Sequence, residues 1–138
     1  MIRNITALLI IGLCAAPAIT LADSLPIESG LWSMTSTTTN PFTGTQTDTS
    51  QECVKEDEFN PKTFLKDMEG CELTNNKVSG NQLDFTMQCN IQGMVGTVNG
   101  AFVSDGDQAS GQTVISVNMG GQSMQIQTEF SGNRIGDC

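Results

Sequence analysis

Between Leu83 and Phe130, apolar side chains alternate with polar ones in runs broken by glycine-containing pairs. A period of two marks a half-buried strand. The breaks fall at Gln92-Gly93, Asp105-Gly106 and Gly120-Gly121. Asp-Gly and Gly-Gly are direct type I′ hairpin signals, because both central residues need positive φ, and Gln-Gly is a weaker one. Four antiparallel strands joined by two-residue turns are therefore expected. Around Gly120-Gly121, Val117 then faces Met124, Ile115 faces Ile126, Thr113 faces Thr128 and Gly111 faces Phe130. Around Asp105-Gly106, Phe102 faces Ala109, Gly100 faces Gly111, Val98 faces Thr113 and Met94 faces Val117. Around Gln92-Gly93, Ile91 faces Met94, Met87 faces Val98, Phe85 faces Gly100 and Leu83 faces Phe102. One set of residues satisfies all three registers on one face. A slip by one residue would turn every apolar side chain outward. The other face is mostly Asn, Gln, Ser, Asp and Glu, with Val95, Val103 and Val114 as exceptions. This is a meander with one buried and one wet face.

Before it, Trp32 and Met34 alternate with Ser33 and Thr35, predicting a first strand over about Leu31–Thr38. Asn40-Pro41 is a turn. Thr45–Val54 reads as a threonine-rich second strand with a weak apolar face, fit for an edge or a partly covered position. Lys55–Met68 breaks the alternation. Asn60 suits an N-cap and Pro61 the first helical position. Phe64, Leu65 and Met68 form one stripe, and Gly70 can stop the helix. The Lys55-Glu56-Asp57-Glu58 run reads as a solvated approach to that helix rather than an acidic site.

Residues 1–22 read as a secretory signal peptide, with Arg3, an apolar run from Ile5 to Ala16 and a cut after Ala22. Ala16-Pro17-Ala18 is an alternative cut site. Cys14 follows Leu13, where a lipobox needs a small residue, so lipidation is not expected. The rest, 23–138, is expected to be a single disulfide-stapled β domain, periplasmic or secreted, and has no second apolar run to span a membrane. Four cysteines remain in it, and an even count in an exported chain reads as two disulfides. Three pairings are open. Cys71 and Cys89 flank a hairpin with Ser79-Gly80-Asn81 at its turn. Shared parity sets Leu73 opposite Met87 and Cys71 opposite Cys89, close to the separation a disulfide needs. That register requires an odd-length loop. Cys53–Cys138 follows by elimination.

Charge and composition narrow the chemistry. Without Arg3 the chain carries 15 acidic against 5 basic side chains, a formal charge of −10. Such a surface disfavours nucleic acid and anionic lipid headgroups. There is no histidine, hence no Ser-His-Asp triad, no Cys-His dyad and no histidine metal site. Phosphate-loop and dinucleotide motifs are missing too. Asp105-Gly106-Asp107 offers too few ligands for calcium. An enzyme is not expected, nor a cofactor or a metal.

The fold expected is mainly all-β: a strongly curved antiparallel meander of about 6–7 strands forming an open or closed small barrel, with one short helix. Its core or ligand face comprises Trp32, Phe85, Met87, Val98, Gly100, Phe102, Gly111, Ile115, Met124 and Phe130. Gly96, Gly100 and Gly111 on that face have two readings. In one they give curvature, with the Phe85 and Phe130 rings over bare backbone. In the other they leave room for an apolar ligand. Trp32, the single tryptophan, reads as a core or barrel-end plug, with ligand stacking as the alternative. Met87, Met94, Met119 and Met124 point inward by register and read as packing residues, rather than as a copper(I) site. Two classes of function remain: a binding module for a small apolar or amphipathic molecule, and a structural or interaction protein of the cell envelope with a filled core.

Several features occur in a telling order. Gly30-Leu31-Trp32 is followed by a cysteine after the second strand and by the Cys71–Cys89 hairpin. Then come Gly100-Ala101-Phe102, Asp105-Gly106-Asp107, a methionine-rich Gly-Gly hairpin and the closing Ser131-Gly132-Asn133-Arg134-Ile135-Gly136-Asp137-Cys138. Together they resemble the bacterial family called domain of unknown function 3617, over essentially the whole chain after the signal peptide. The resemblance implies a small exported protein of Gram-negative bacteria and implies no activity.

Overall fold

The computed structural model describes residues 23–66 and 68–138, apart from the side chains of Phe64 and Ile91. The expected signal peptide over 1–22, with Cys14, and the Phe64 side chain lie outside that description. Seven long strands form one sheet: β2 (Gly30–Asn40), β3 (Gly44–Val54), β5 (Cys71–Ser79), β6 (Gln82–Ile91), β7 (Met94–Ser104), β8 (Gln108–Met119) and β9 (Gln122–Gly136). Their order is β3-β2-β9-β8-β7-β6-β5, every neighbour antiparallel. The sheet does not close, and β3 and β5 are its edges. The two short strands β1 (Leu25–Pro26) and β4 (Glu58–Phe59) pair separately. Helix α1 is only Pro61–Leu65. The Asn60 carboxamide accepts from the Lys62 amide at 3.0 Å, as an N-cap should.

Two of the three meander registers are as the turn chemistry predicts. Gln92 and Gly93 both take positive φ, as do Gly120 and Gly121. Ile91 faces Met94, and Val117 faces Met124. The β7–β8 register is shifted by two residues: Phe102 faces Gly111 instead of Ala109, Gly100 faces Thr113, and Val98 faces Ile115. The turn is longer because the rest of the chain uses it. The Gly106 carbonyl accepts from the Glu28 amide at 2.9 Å, and the Asp107 carbonyl from the Arg134 amide at 2.8 Å. Buried Ser104 donates its hydroxyl to the Pro26 carbonyl at 2.7 Å and accepts from the Gly106 amide. An even shift keeps every side chain on its face.

Three of the face's glycines lie under large side chains. Gly100 faces Phe85 across the β6–β7 pair, and a methyl group on Gly100 would run into the Phe85 ring. Gly111 lies between Phe102 and Phe130 and is covered by Phe102. Gly132 is covered by Met34 and Trp32. The curvature reading thus named Phe85 correctly, but Phe102, not Phe130, covers Gly111. With Gly111 bare, the Phe102 and Phe130 rings stack at 5.9 Å, and Phe85 stacks on Phe102 at the same distance. The Phe59 ring approaches Phe102 from outside the sheet, at 5.0 Å. Leu25, Leu83, Phe85 and Met87 form the buried cluster, with Phe59, Leu65, Leu73, Val78, Val98 and Phe102 packed against it. Lys55–Glu58 is exposed throughout, as a solvated approach to α1 should be, and Glu58 with Phe59 also forms the short strand β4. Its phenylalanine plugs one side of the sheet.

Both disulfides pair as the cysteine reading has them, Cys71 with Cys89 and Cys53 with Cys138. Leu73 faces Met87, as expected. The extra residue is not in the loop, however. The turn has two residues, with Ser79 facing Gln82, and β5 has a bulge between Leu73 and Asn75. Thr74 there donates to the Thr86 carbonyl. Cys53 and Gly136 are both partners of Leu31. The Cys53–Cys138 bridge therefore ties edge strand β3 to the end of β9 across β2.

Two stability predictions follow from this packing. Gly100→Ala displaces the Phe85 ring and lowers stability by about 1–3 kcal/mol, while Gly96→Ala, which meets neighbours only at 3.5–3.6 Å, changes it little. Denaturant unfolding of the oxidised proteins measures both. The cysteine separations are 18 and 85 residues. Chain entropy then predicts losses of about 3 and about 4.5 kcal/mol when each bridge is replaced by alanines. The Cys53–Cys138 variant should be the less stable of the two.

Candidate functional site

The plug divides the apolar face. On the β5–β7 side, Leu25, Phe59 and Leu65 cover Leu83, Phe85, Met87, Val98 and Phe102. Past Val98 the same row continues through Ile115 and Ile126. The adjacent row runs from Gly96 through Val117 to Met124. Ile115, Val117, Met124 and Ile126 remain half-buried and belong to no part of the buried cluster. This aliphatic strip is bordered by the hydroxyl row Thr113, Thr128 and Thr38, whose last two members hydrogen-bond at 3.1 Å. It contains no charged residue.

The ten face residues expected from sequence therefore separate. Phe85, Met87, Val98 and Phe102 pack into the plugged core, joined by Phe130 through ring stacking. Gly100 and Gly111 are the bare backbone beneath the rings. Ile115 and Met124 lie in the open strip. Trp32 is apart from both. It is only 2% exposed, its indole N–H donates to the Glu28 carbonyl at 2.8 Å, and it faces Arg134 in the register. Its position is that of a plug at the β2 start.

The four methionines also divide. Met87 is buried and Met124 half-buried, but Met94 and Met119 are exposed. Parity puts them on the apolar face, yet they stand beside the turns, past the reach of the plug. Sequence reasoning missed Leu25, Phe59 and Val78 as core residues. Val78 is half visible as a change of parity after Leu73. Leu25 and Phe59 carry no such signal, because β1 and β4 have two residues each.

Two open depressions, of about 460 and 220 Å³, lie against the polar face. The larger is lined by Ser33, Asp105, Asp107, Gln108, Asn133 and Arg134 among others. Two of its charged groups are already engaged. Asp105 accepts from the Asn81 side chain, and Arg134 donates to the Ser29 carbonyl and to Asp137. Among the described residues no cluster of three or more His, Cys, Asp or Glu could hold a metal ion. Nor is any helix among them long and apolar enough to cross a membrane.

The edges differ in kind. β5 has the bulge and Lys77. β3 runs eleven residues against β2 without a bulge, and all of it except Val54 is exposed. Thr35, Thr37 and Thr39 pair with Thr49, Thr47 and Thr45 through hydroxyl contacts of 3.0–3.2 Å on the polar face.

No curated protein and no solved structure matches the chain. A family model does, over residues 27–138, which hold β2 to β9, both disulfides and the strip. The chain belongs to the family described as protein of unknown function (DUF3617).

Proposed function

We propose that this is an exported, non-enzymatic binding protein that takes an apolar or amphipathic small molecule on the open aliphatic strip. The carrying observation is the division of the apolar face. A plug built from β1, β4 and α1 covers the aromatic half and leaves Ile115, Val117, Met124 and Ile126 half-exposed. Apolar surface left contiguous and uncharged is suited to an apolar ligand. The glycines do not supply the room, since rings fill it at Gly100 and Gly111. Export is supported by the signal-like residues 1–22 and by the two disulfides, which persist in oxidising compartments. The lack of histidine removes the commonest general base and favours binding over catalysis. The test is titration of the oxidised protein with the neutral fluorescent probe N-phenylnaphthylamine. Saturable binding is expected, weakened about tenfold in Ile115→Ser/Ile126→Ser. Lack of saturation, or equal binding by the double variant, contradicts the reading.

A second reading rests on β3. Long edges are normally blunted by a bulge, a proline or charged side chains, lysine above all; β3 has no bulge, proline or lysine, and its charges are Asp48 and Glu52. It is a ready template for strand addition by an envelope protein. A photo-crosslinking residue at Thr47 should then trap a discrete partner in the envelope, and one at Lys77 on the bulged edge should not. Equal yields from both edges remove this reading.

A further inference from the structure

The strands all end at one of two rims, and the rims differ in charge. The β2–β3, β6–β7 and β8–β9 turns share one rim with the α1–β5 connection, which carries Lys66 and Glu69; the β5–β6 and β7–β8 turns, β1 and the chain end share the other. Residues 30–47, 85–104 and 108–128 contain no charged side chain, although the chain has 15 acidic ones. All three turns of the first rim fall within these tracts. Apolar side chains stand exposed at each: Phe42 at 82%, Met94 at 41%, Val95 at 56% and Met119 at 53%. Phe42 is held outward by its turn, where its amide donates to the Asn40 side chain at 2.9 Å. Around these tips are Thr, Ser, Asn, Gln and Gly, neutral groups that hydrogen-bond at a headgroup level.

We propose that this rim, uncharged at its three hairpin tips, docks on a bilayer surface with neutral headgroups, inserting Phe42, Met94, Val95 and Met119. The apolar groups sit on three separate hairpin tips with polar gaps between them. A fluid phase accommodates such a surface without the close shape matching that a protein partner requires. Charge fits the same occupant. The twelve residues of β8 span about 40 Å, so Asp105 and Asp107 beyond its start lie several Debye lengths of about 8 Å from the lipid. Glu69 and Glu72 near the β5 start, with Asp48 on β3 and Glu129 on β9, are acidic groups closer to this rim, and they weigh against anionic lipid. The aliphatic strip begins beside these tips, at Met124 and Val117. Docking itself does not depend on the strip's holding a ligand.

The experiment is flotation of the oxidised protein, residues 23–138, with phosphatidylcholine vesicles. Partition is expected, insensitive to salt and not increased by phosphatidylglycerol. Phe42→Asp/Met119→Asp, at sites too exposed to disturb folding, should lower it by about tenfold or more. Val103→Asp, exposed at the opposite rim, should leave it unchanged. Ile115→Ser/Ile126→Ser should still float even where probe binding is lost, which separates docking from the ligand reading. Absence of partition overturns the proposal. So does binding confined to anionic vesicles, equal partition by the tip variant, or a dimer that forms through Phe42 in place of vesicle binding.

Discussion

The packing of rings over bare glycine backbone is the constraint on which the rest of the sheet depends. Phe85 covers Gly100, Phe102 covers Gly111, and Met34 with Trp32 covers Gly132. A side chain at any of these glycines would hold neighbouring strands' residues apart. Without one, Phe85, Phe102 and Phe130 stack across the sheet. Ring pairs of this kind contribute about 0.5–1.5 kcal/mol beyond their buried area. They also fix which way the sheet's thick side lies. The aromatic half is what Leu25, Phe59 and Leu65 can cover, and the aliphatic half is what they leave.

A sheet covered on only part of one face has a small core, and the remaining fastening is covalent or local. Each edge strand has its own disulfide, Cys71–Cys89 on β5 and Cys53–Cys138 on β3. The plug is held by hydrogen bonds, from the Glu28 amide to the Gly106 carbonyl, from the Ile27 amide to the Asp57 carbonyl, and from the Ser104 hydroxyl to the Pro26 carbonyl. With edges and plug secured this way, Ile115, Val117, Met124 and Ile126 need not be buried for the chain to fold. Strip, hairpin-tip rim and β3 edge are thus three surfaces that the fold leaves exposed.

Face parity was legible in the residues because period two and glycine turns are local signals. Every even register change preserves them, so Phe102 stayed on its face although it pairs with Gly111 and not Ala109. What moved that register was not local: Glu28 reaches Gly106 from 78 residues away, and no spacing announces it. The β1–β4 pair was invisible for the same reason, being two short strands far apart in the chain. The odd residue between Cys71 and Cys89 was legible as a count, but not as a bulge at Thr74. Of the expected face, Ile115 and Met124 belong to the strip, while Phe85, Met87, Val98 and Phe102 belong to the plugged core. Parity tells which side a residue takes, and the extent of the cover depends on Leu25 and Phe59. Met94 and Met119 illustrate the gap, assigned to the inner face and yet exposed at its rim.

The half-open face is the claim that carries the functional account, and it can be measured without knowing any ligand. Methyl-labelled oxidised protein with a soluble paramagnetic probe reports solvent access side chain by side chain. The methyl groups of Ile115, Val117, Met124 and Ile126 should be strongly relaxed, while those of Leu25, Leu83 and Met87 should be protected. Uniform protection across both sets would mean that the strip is closed, and would contradict the account.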